Sequence, residues 1–223
     1  MIVALNELSF ILLGGDMVNK GRAGDKRQRI LAAALRVFSR KGFFQSRVAE
    51  IARVAGVADG TIYLYFHNKD DLLISLFEEE MQLVLEAMVE ALSGHDDPVK
   101  KIEVFARTHL GLAETRPEAA EILQVEVRQS SKFMKEYKNE KFIEYLNIIA
   151  AIIREGQARG VIRADIHPDL AKRALFGALD EMARYWVLAR KRAFTVEEAA
   201  AQVSRCFLEG ILTGGPKDEP AGS

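Results

Sequence analysis

A short polar run in the first third of the chain carries side chains suited to nucleic-acid recognition: Asp59, Gly60, Thr61, Tyr63 and Tyr65. The hydroxyl groups of Thr61 and of the two tyrosines can bind phosphates or base edges. Gly60 lets the backbone come close to a ligand because it has no side chain. The run therefore has the chemistry of a recognition helix that enters the major groove of DNA.

Two short helices joined by a turn are predicted to position these residues. The first has an apolar face and ends at Gly56, with Ser46 as its expected N-cap. Its apolar positions are Val48, Ile51, Ala52 and Ala55. The second is expected over residues 57–66, with its apolar residues turned toward the first. Asn68 is predicted to cap a third helix, and Asp71 completes a capping box with it.

Charge is distributed unevenly along the chain. Residues 17–69 contain eleven Lys or Arg and three acidic residues, a net charge of +8, although the whole chain has a net charge of −1. A basic module joined to an acidic body is typical of a nucleic-acid-binding protein with a separate second domain.

The segment FSRKGFFQSRVAEIARVAGVADGTIYLYFHNKDDLL is similar to the N-terminal DNA-binding domain of the TetR family of bacterial regulators. The segments VEVRQS, YLNII and FGALDEMARYWV further resemble TetR-type fatty-acid-degradation repressors. The likeness extends from about Lys26 to Leu212. Together with the polar run, it implies that DNA is contacted by Ser46, Arg47, Asp59, Gly60, Thr61, Tyr63, Tyr65, His67 and Lys69.

The remaining sequence predicts helices only, because it contains no alternating strand pattern, no repeat and no Gly-rich phosphate loop. We expect an all-α, TetR-like fold with four parts. These are an N-terminal extension (1–24, expected to be disordered), a three-helix domain with a helix-turn-helix (25–70), a helical effector-binding and dimerisation domain (71–213), and a disordered tail (214–223). One long helix is expected from Pro117 to Ser130, and another from Phe133 to Arg159. His167 is expected to be a helix cap, and Thr195 with Glu198 is expected to form a capping box before the last helix.

The resemblance implies that operator DNA is bound by a homodimer, formed through the last two long helices, and released by a long-chain acyl-CoA. Apolar residues would line a tunnel for the acyl chain, and cations would meet the phosphates. The predicted ligand-binding residues are Phe105, Arg107, His109, Gln124, Arg128, Phe142, Asn147, Phe176, Asp180 and Trp186. Each apolar one, taken singly, is better explained as ordinary core. The polar ones could instead form an internal hydrogen-bond network, or a network that rearranges on ligand binding.

Other functions are weighed on the same residues. The four histidines are scattered without metal-ligand spacing, and no nucleophile has a recognisable base beside it, so neither catalytic nor metal-binding residues are predicted. No cofactor is expected. The single cysteine, Cys206, is expected to be a buried small residue. A cytoplasmic protein without membrane contact is expected. The alternatives are a repressor that senses another hydrophobic compound, such as a drug-like one, and a protein-interaction variant that senses none.

Overall fold

The computed structural model describes residues 22–189 and 191–213. The regular elements in these ranges are helices, joined by turns and loops, and there is one isolated bridge between Ile162 and Leu212. The predicted N-terminal extension (apart from residues 22–24) and the predicted tail lie outside the described residues. The helices are α1 (Arg22–Lys41), α2 (Val48–Ala55), α3 (Asp59–Ile62), α4 (Lys69–Leu92), α5 (Pro98–Thr115), α6 (Pro117–Gln124), α7 (Ser131–Glu136), α8 (Glu140–Ala158), α9 (Pro168–Leu188) and α10 (Val196–Ile211). A 3-10 turn, Glu126–Gln129, lies between α6 and α7.

The first three helices form a small domain around the apolar face of α1. Ile30, Ala34 and Phe38 are fully buried there, as the helical spacing predicts. The Arg29 guanidinium donates to the carbonyl of Ala55 at 2.6 Å and so satisfies the C-terminal end of α2. Gly56 follows with a φ of 67°, a left-handed conformation that favours glycine and ends the helix as predicted.

Two details of this domain differ from the sequence-based prediction. Ser46 is not the N-cap of α2, because Arg47 occupies that position and the buried Ser46 hydroxyl instead donates to the carbonyl of Gly42 at 2.6 Å. The second helix of the pair is shorter than predicted: only Asp59–Ile62 is α-helical, and a turn continues the chain to Tyr65.

Several predicted helix starts are confirmed. The Asn68 side chain accepts from the N–H of Asp71, while the Asp71 carboxylate accepts from the N–H of His67, each at 2.8 Å. His167 caps α9, and Thr195 with Glu198 forms a capping box at the start of α10. These caps satisfy N–H groups that a helix leaves without partners.

The second domain is built around α5, which packs against α4, α8, α9 and α10. The predicted helix from Pro117 to Ser130 is wrong in its second half: α6 ends at Gln124, and Val125 adopts φ −120° and ψ −59° before the 3-10 turn. The predicted helix from Phe133 to Arg159 is likewise two helices. The helical segment is interrupted at Tyr137. The Asn139 side chain then caps the start of α8 by accepting a hydrogen bond from the N–H of Phe142 at 3.2 Å.

Cys206 also differs from expectation. Its side chain is exposed on α10 rather than buried. The buried face of that helix is formed by other residues, including Ala199, Ala200, Ser204 and Leu208.

Candidate DNA interface and ligand cavity

The start of α3 presents polar groups outward. Asp59 and Gly60 are exposed, and the Tyr63 side chain is 56% exposed. Thr61 and Tyr65 are half-buried at the same end of the domain. This geometry leaves the polar groups at the start of α3 accessible from outside the domain.

The remaining predicted DNA contacts fall into two groups. Arg47, just before α2, and His67, just before α4, are exposed. Ser46 is buried, and the Lys69 ammonium donates to the carbonyls of Phe43, Ser46 and Phe44 at 2.8, 3.3 and 3.4 Å. An ammonium has three protons, so these contacts occupy all of them. Both residues therefore hold the loop between α1 and α2, and direct contact of either with DNA stays a prediction.

A cavity of about 270 Å³ lies inside the second domain. It is lined by residues on or next to α4, α5, α6, the 3-10 turn, α7, α8 and α9, and most of its surface is apolar. The apolar residues that line it are Phe77, Met81, Val84, Leu112, Ala113, Ala119, Ala120, Leu123, Val127, Phe133, Phe142, Phe176 and Ala183. An apolar cavity with a few polar groups is typical of a small-molecule site.

One polar pair at the cavity wall is largely shielded from water. His109 Nδ1 lies 2.7 Å from the Tyr145 hydroxyl, and the ring of Phe105 stacks on the imidazole at a centroid distance of 6.4 Å. Burial lowers the pKa of His109 to about 4 although the nearby Asp180 carboxylate opposes the shift, and burial raises the pKa of Tyr145 well above its usual value. The imidazole is therefore neutral at physiological pH.

Two arginines at the cavity wall are paired with carboxylates. Arg128 donates to Asp180 at 2.8 Å and also to the carbonyl of Gln124. Arg116 lies 2.8 Å from Glu80, without the alignment of a good hydrogen bond. Burial raises the pKa of the Glu80 carboxyl, against the opposing effect of Arg116. Both cations are thus held at the cavity by partners that a stronger anion can replace.

Six of the ten predicted ligand-binding residues line this cavity: His109, Gln124, Arg128, Phe142, Phe176 and Asp180. The other four lie elsewhere. Phe105 is buried behind His109, Arg107 is exposed, Asn147 accepts from the Lys172 ammonium at 2.9 Å, and Trp186 packs under the Arg192 guanidinium at 4.4 Å.

The sequence-based selection missed several cavity residues. Arg116 stands at the corner between α5 and α6, and Asn139 at the break before α8. Phe77 and Met81 belong to the middle of α4, where an apolar stripe does not distinguish cavity wall from core. Tyr145 lies in a segment that resembles the fatty-acid-degradation repressors, and its phenol group was the available signal.

Across 22–189 and 191–213 there is no cluster of His, Cys, Asp or Glu that could hold a metal ion. Over the same ranges, no helix is long and apolar enough to cross a membrane.

Comparisons with known proteins agree with this arrangement. Residues 30–76 match the model for bacterial regulatory proteins of the tetR family, and residues 77–210 match that for the C-terminal region of YsiA-like proteins. The fatty acid metabolism regulator protein of Bacillus subtilis is 39% identical over 163 residues, which cover 73% of this chain and 84% of that protein.

Two solved structures are also similar. The Bacillus subtilis transcriptional regulator FadR in complex with stearoyl-CoA is 36% identical with a TM-score of 0.76, over 82% of this chain and 98% of that chain. The fatty acid degradation regulator FadR of Bacillus halodurans is 31% identical with a TM-score of 0.74, over 86% and 97% of the two chains. These relatives are transcriptional regulators rather than enzymes, and the chain described here belongs to the TetR family of bacterial regulatory proteins.

Proposed function

We propose that this protein represses fatty-acid-degradation genes by binding their operators as a homodimer, and that a long-chain acyl-CoA releases it. The observation that carries the proposal is the apolar cavity with Arg116 and Arg128 at its wall, in a chain similar to a regulator that binds stearoyl-CoA. Such a protein would act in the cytoplasm, where it meets the chromosome. The proposed division is a DNA-binding domain over 25–70 and an effector-binding and dimerisation domain over 71–213.

On the DNA side, the proposed contacts are the exposed residues around α3 and the cation before α2. Tyr63, Thr61 and the N-terminus of α3 would face the major groove, and Arg47 would meet a phosphate. Ser46 and Lys69 would act by holding the loop that carries Arg47.

On the effector side, the acyl chain would occupy the apolar part of the cavity between Phe142, Phe176 and Met81. The phosphates of CoA would compete with Asp180 and Glu80 for the two arginines. This exchange is favourable because phosphate oxygens accept bidentate hydrogen bonds from a guanidinium.

The proposed dimer surface is the outer face of α9 and α10. Small residues that would allow close helix packing are exposed there: Ala174, Gly177, Ala178, Ala201 and Gly210. Leu170 and Leu188, which are 69% and 54% exposed, lie on α9. A two-fold dimer through these helices would present two recognition helices to two half-sites of one operator.

A second candidate is a repressor that senses an uncharged hydrophobic compound. It is favoured by the pairing of both arginines with carboxylates, because such a ligand would fill the apolar cavity without displacing Asp180 or Glu80.

The test measures binding of labelled promoter DNA by fluorescence anisotropy, with and without stearoyl-CoA. We expect stearoyl-CoA to weaken operator binding by the wild-type protein at least tenfold. Ala120→Phe fills the cavity from α6, so this variant should bind DNA normally and respond little to stearoyl-CoA. Ala151→Phe is the matched control, because Ala151 is exposed on α8.

The outcomes separate the candidates. A wild-type protein that binds its promoter but ignores stearoyl-CoA would contradict the acyl-CoA assignment. If Ala120→Phe then abolished a response to an uncharged hydrophobic compound, the second candidate would be supported. An absence of any small-molecule response, together with a copurifying protein, would favour the protein-interaction variant of the fold.

A further inference from the structure

One hydrogen bond links the two domains through a buried carboxylate. Glu126, in the 3-10 turn of the effector domain, accepts a hydrogen bond from the backbone N–H of Phe43 in the loop between α1 and α2. The Glu126 side chain is only 3% exposed. A buried N–H without a partner is costly, so the DNA-binding domain depends on this carboxylate for the geometry of its loop.

Both backbone polar groups of Phe43 are hydrogen-bonded. Its N–H is bound by Glu126, and its carbonyl accepts from the Lys69 ammonium at 2.8 Å. The Phe43 ring is 3% exposed and packs edge-on against Phe38 at a centroid distance of 5.6 Å. The chain continues from this fixed residue to Arg47 and the start of α2, so the position of Phe43 helps to set the position of the helix-turn-helix.

The residues next to Glu126 in the chain face the cavity instead of the DNA-binding domain. Gln124, Val127 and Arg128 line the cavity, and Arg128 is tied to Asp180 across it. The turn that carries them is four residues long and follows the non-helical Val125. Such a short segment is unlike a helix interior, because it can move as a unit without breaking a ladder of α-helical hydrogen bonds.

The size of the cavity determines what a long ligand does to this turn. About 270 Å³ is just below the range of roughly 300–1,000 Å³ that is typical of ligand sites. A long acyl chain must therefore displace wall residues to enter. Phosphates that compete for Arg128 would also release the turn from Asp180.

We infer that Glu126 is the positioning residue that couples ligand binding in the cavity to the conformation of the DNA-binding domain. In the conformation that binds DNA, its carboxylate holds the N–H of Phe43 and fixes the loop between α1 and α2. Ligand entry shifts the 3-10 turn and withdraws the carboxylate, so the loop relaxes and operator affinity falls. This inference rests on the proposed function, because it requires an effector in the cavity.

Two other contacts join the same parts of the molecule and provide controls. Arg40 lies 3.7 Å from Glu118, and Arg27 lies 3.7 Å from Glu79, both on the surface. Neither Glu118 nor Glu79 lines the cavity. Glu118→Gln and Glu79→Gln therefore remove contacts between the domains without touching the link through Phe43.

The first experiment compares Glu126→Ala and Glu126→Gln with the wild type and the two controls. For Glu126→Ala we expect the operator dissociation constant without effector to rise toward that of the liganded wild type, and stearoyl-CoA to change it less than about threefold. Glu126→Gln keeps one acceptor oxygen and should be intermediate. Glu118→Gln and Glu79→Gln should respond like the wild type.

The affinity for stearoyl-CoA, measured in the absence of DNA, distinguishes a loss of coupling in Glu126→Ala from damage to its fold. Because the ligand no longer has to break the contact with Phe43, linkage requires Glu126→Ala to bind stearoyl-CoA more tightly than the wild type. A residue with only a structural role would leave this affinity unchanged or weaken it, and either result would overturn the inference.

A measurement on the wild-type protein tests the inference without depending on the folding of any variant. Selective ¹⁵N-phenylalanine labelling gives one backbone signal for each phenylalanine, and exchange of the Phe43 amide with solvent can be followed by NMR. We expect this amide to be protected in the empty protein and to exchange at least tenfold faster with saturating stearoyl-CoA. A Phe43 signal indifferent to bound stearoyl-CoA would refute the relay alone. A wild-type operator complex indifferent to stearoyl-CoA would refute the proposed function as well.

Discussion

His109 and Tyr145 form a hydrogen bond of 2.7 Å at the wall of the cavity, between Nδ1 of the imidazole and the phenol oxygen. Which of the two groups donates depends on which ring nitrogen carries the proton of the neutral imidazole. The other ring nitrogen, Nε2, is buried and has no partner among the described residues.

The low pKa of His109 predicts a loss of stability in mild acid. The folded protein keeps this imidazole neutral down to a pKa of about 4, whereas in the unfolded chain it binds a proton below about pH 6.5. The unfolded state thus gains protons that the folded state does not, so the free energy of unfolding decreases as the pH falls from about 6.5 to 4. At about pH 5 the contribution amounts to about 2 kcal/mol.

The variant His109→Gln removes this titration and keeps an acceptor for Tyr145. Its free energy of unfolding, measured in urea at one protein concentration, should fall less between about pH 7.5 and pH 5 than that of the wild type, by about 2 kcal/mol. His95→Gln, in the loop before α5, should retain the full dependence on pH. Parallel pH profiles for His109→Gln and the wild type would contradict the prediction.

Arg128 is expected to contribute to effector affinity. Arg128→Gln should weaken stearoyl-CoA binding by about tenfold or more, since hydrogen bonds to charged groups contribute about 1.5–3 kcal/mol. Isothermal titration calorimetry measures this affinity directly. Arg154→Gln is the control, because Arg154 pairs with Asp169 at 3.6 Å on the surface. Equal effects of the two substitutions would argue against a phosphate contact at Arg128.

The proposed dimer surface predicts the effect of a charge on α9. Ala178 is exposed in the subunit, so Ala178→Arg should fold normally but prevent close packing of two copies. Sedimentation velocity should show a shift from dimer to monomer, and operator affinity should fall because both half-sites are no longer bound together. Ala151→Arg, on the exposed side of α8, should remain dimeric. Dimers of Ala178→Arg would exclude this face as the interface.

The proposed phosphate contact of Arg47 predicts a change in salt dependence. Among the described residues, Arg47 makes no salt bridge, so its charge is available to DNA. In Arg47→Gln the slope of log affinity against log salt should become shallower by about 0.9 per phosphate contact, or about 2 for a dimer. Lys100→Gln removes an exposed charge on α5 and should leave the slope unchanged. An unaltered slope for Arg47→Gln would remove this residue from the interface.

Local signals predicted the helix boundaries where the cause is local. Gly56, the Asn68 cap and the capping box at Thr195 act within a few residues of themselves, and each is confirmed. The break at Tyr137 also has a local signal, the Asn139 cap of α8, which the prediction missed. The break at Val125 has no such signal. The 3-10 turn after Val125 is held by Glu126 on Phe43 and by Ser130 on Asp70, which are contacts between residues far apart in the chain.

The sequence predicted the chemical character of the cavity better than it predicted which residues line it. Apolar spacing identifies a helix face, but the fold decides whether that face meets core or an empty space. Arg107 and Arg116 are both arginines on or next to α5, yet only Arg116 reaches the cavity, because it follows the end of the helix and turns back toward Glu80. Helical spacing alone cannot distinguish these two positions.

The unbroken length of α4 has a mechanical consequence. Its 24 residues run from Lys69, which holds the loop of the DNA-binding domain, past Phe77, Met81 and Val84 in the cavity wall. At 1.5 Å per residue the helix is about 36 Å long. In a rigid helix of that length a small rotation produces a large displacement at the far end. A rotation of about 5° about one end moves the other by about 3 Å, close to the rise of one base pair. A ligand would therefore need to tilt α4 only slightly for a recognition helix to lose its register with the operator.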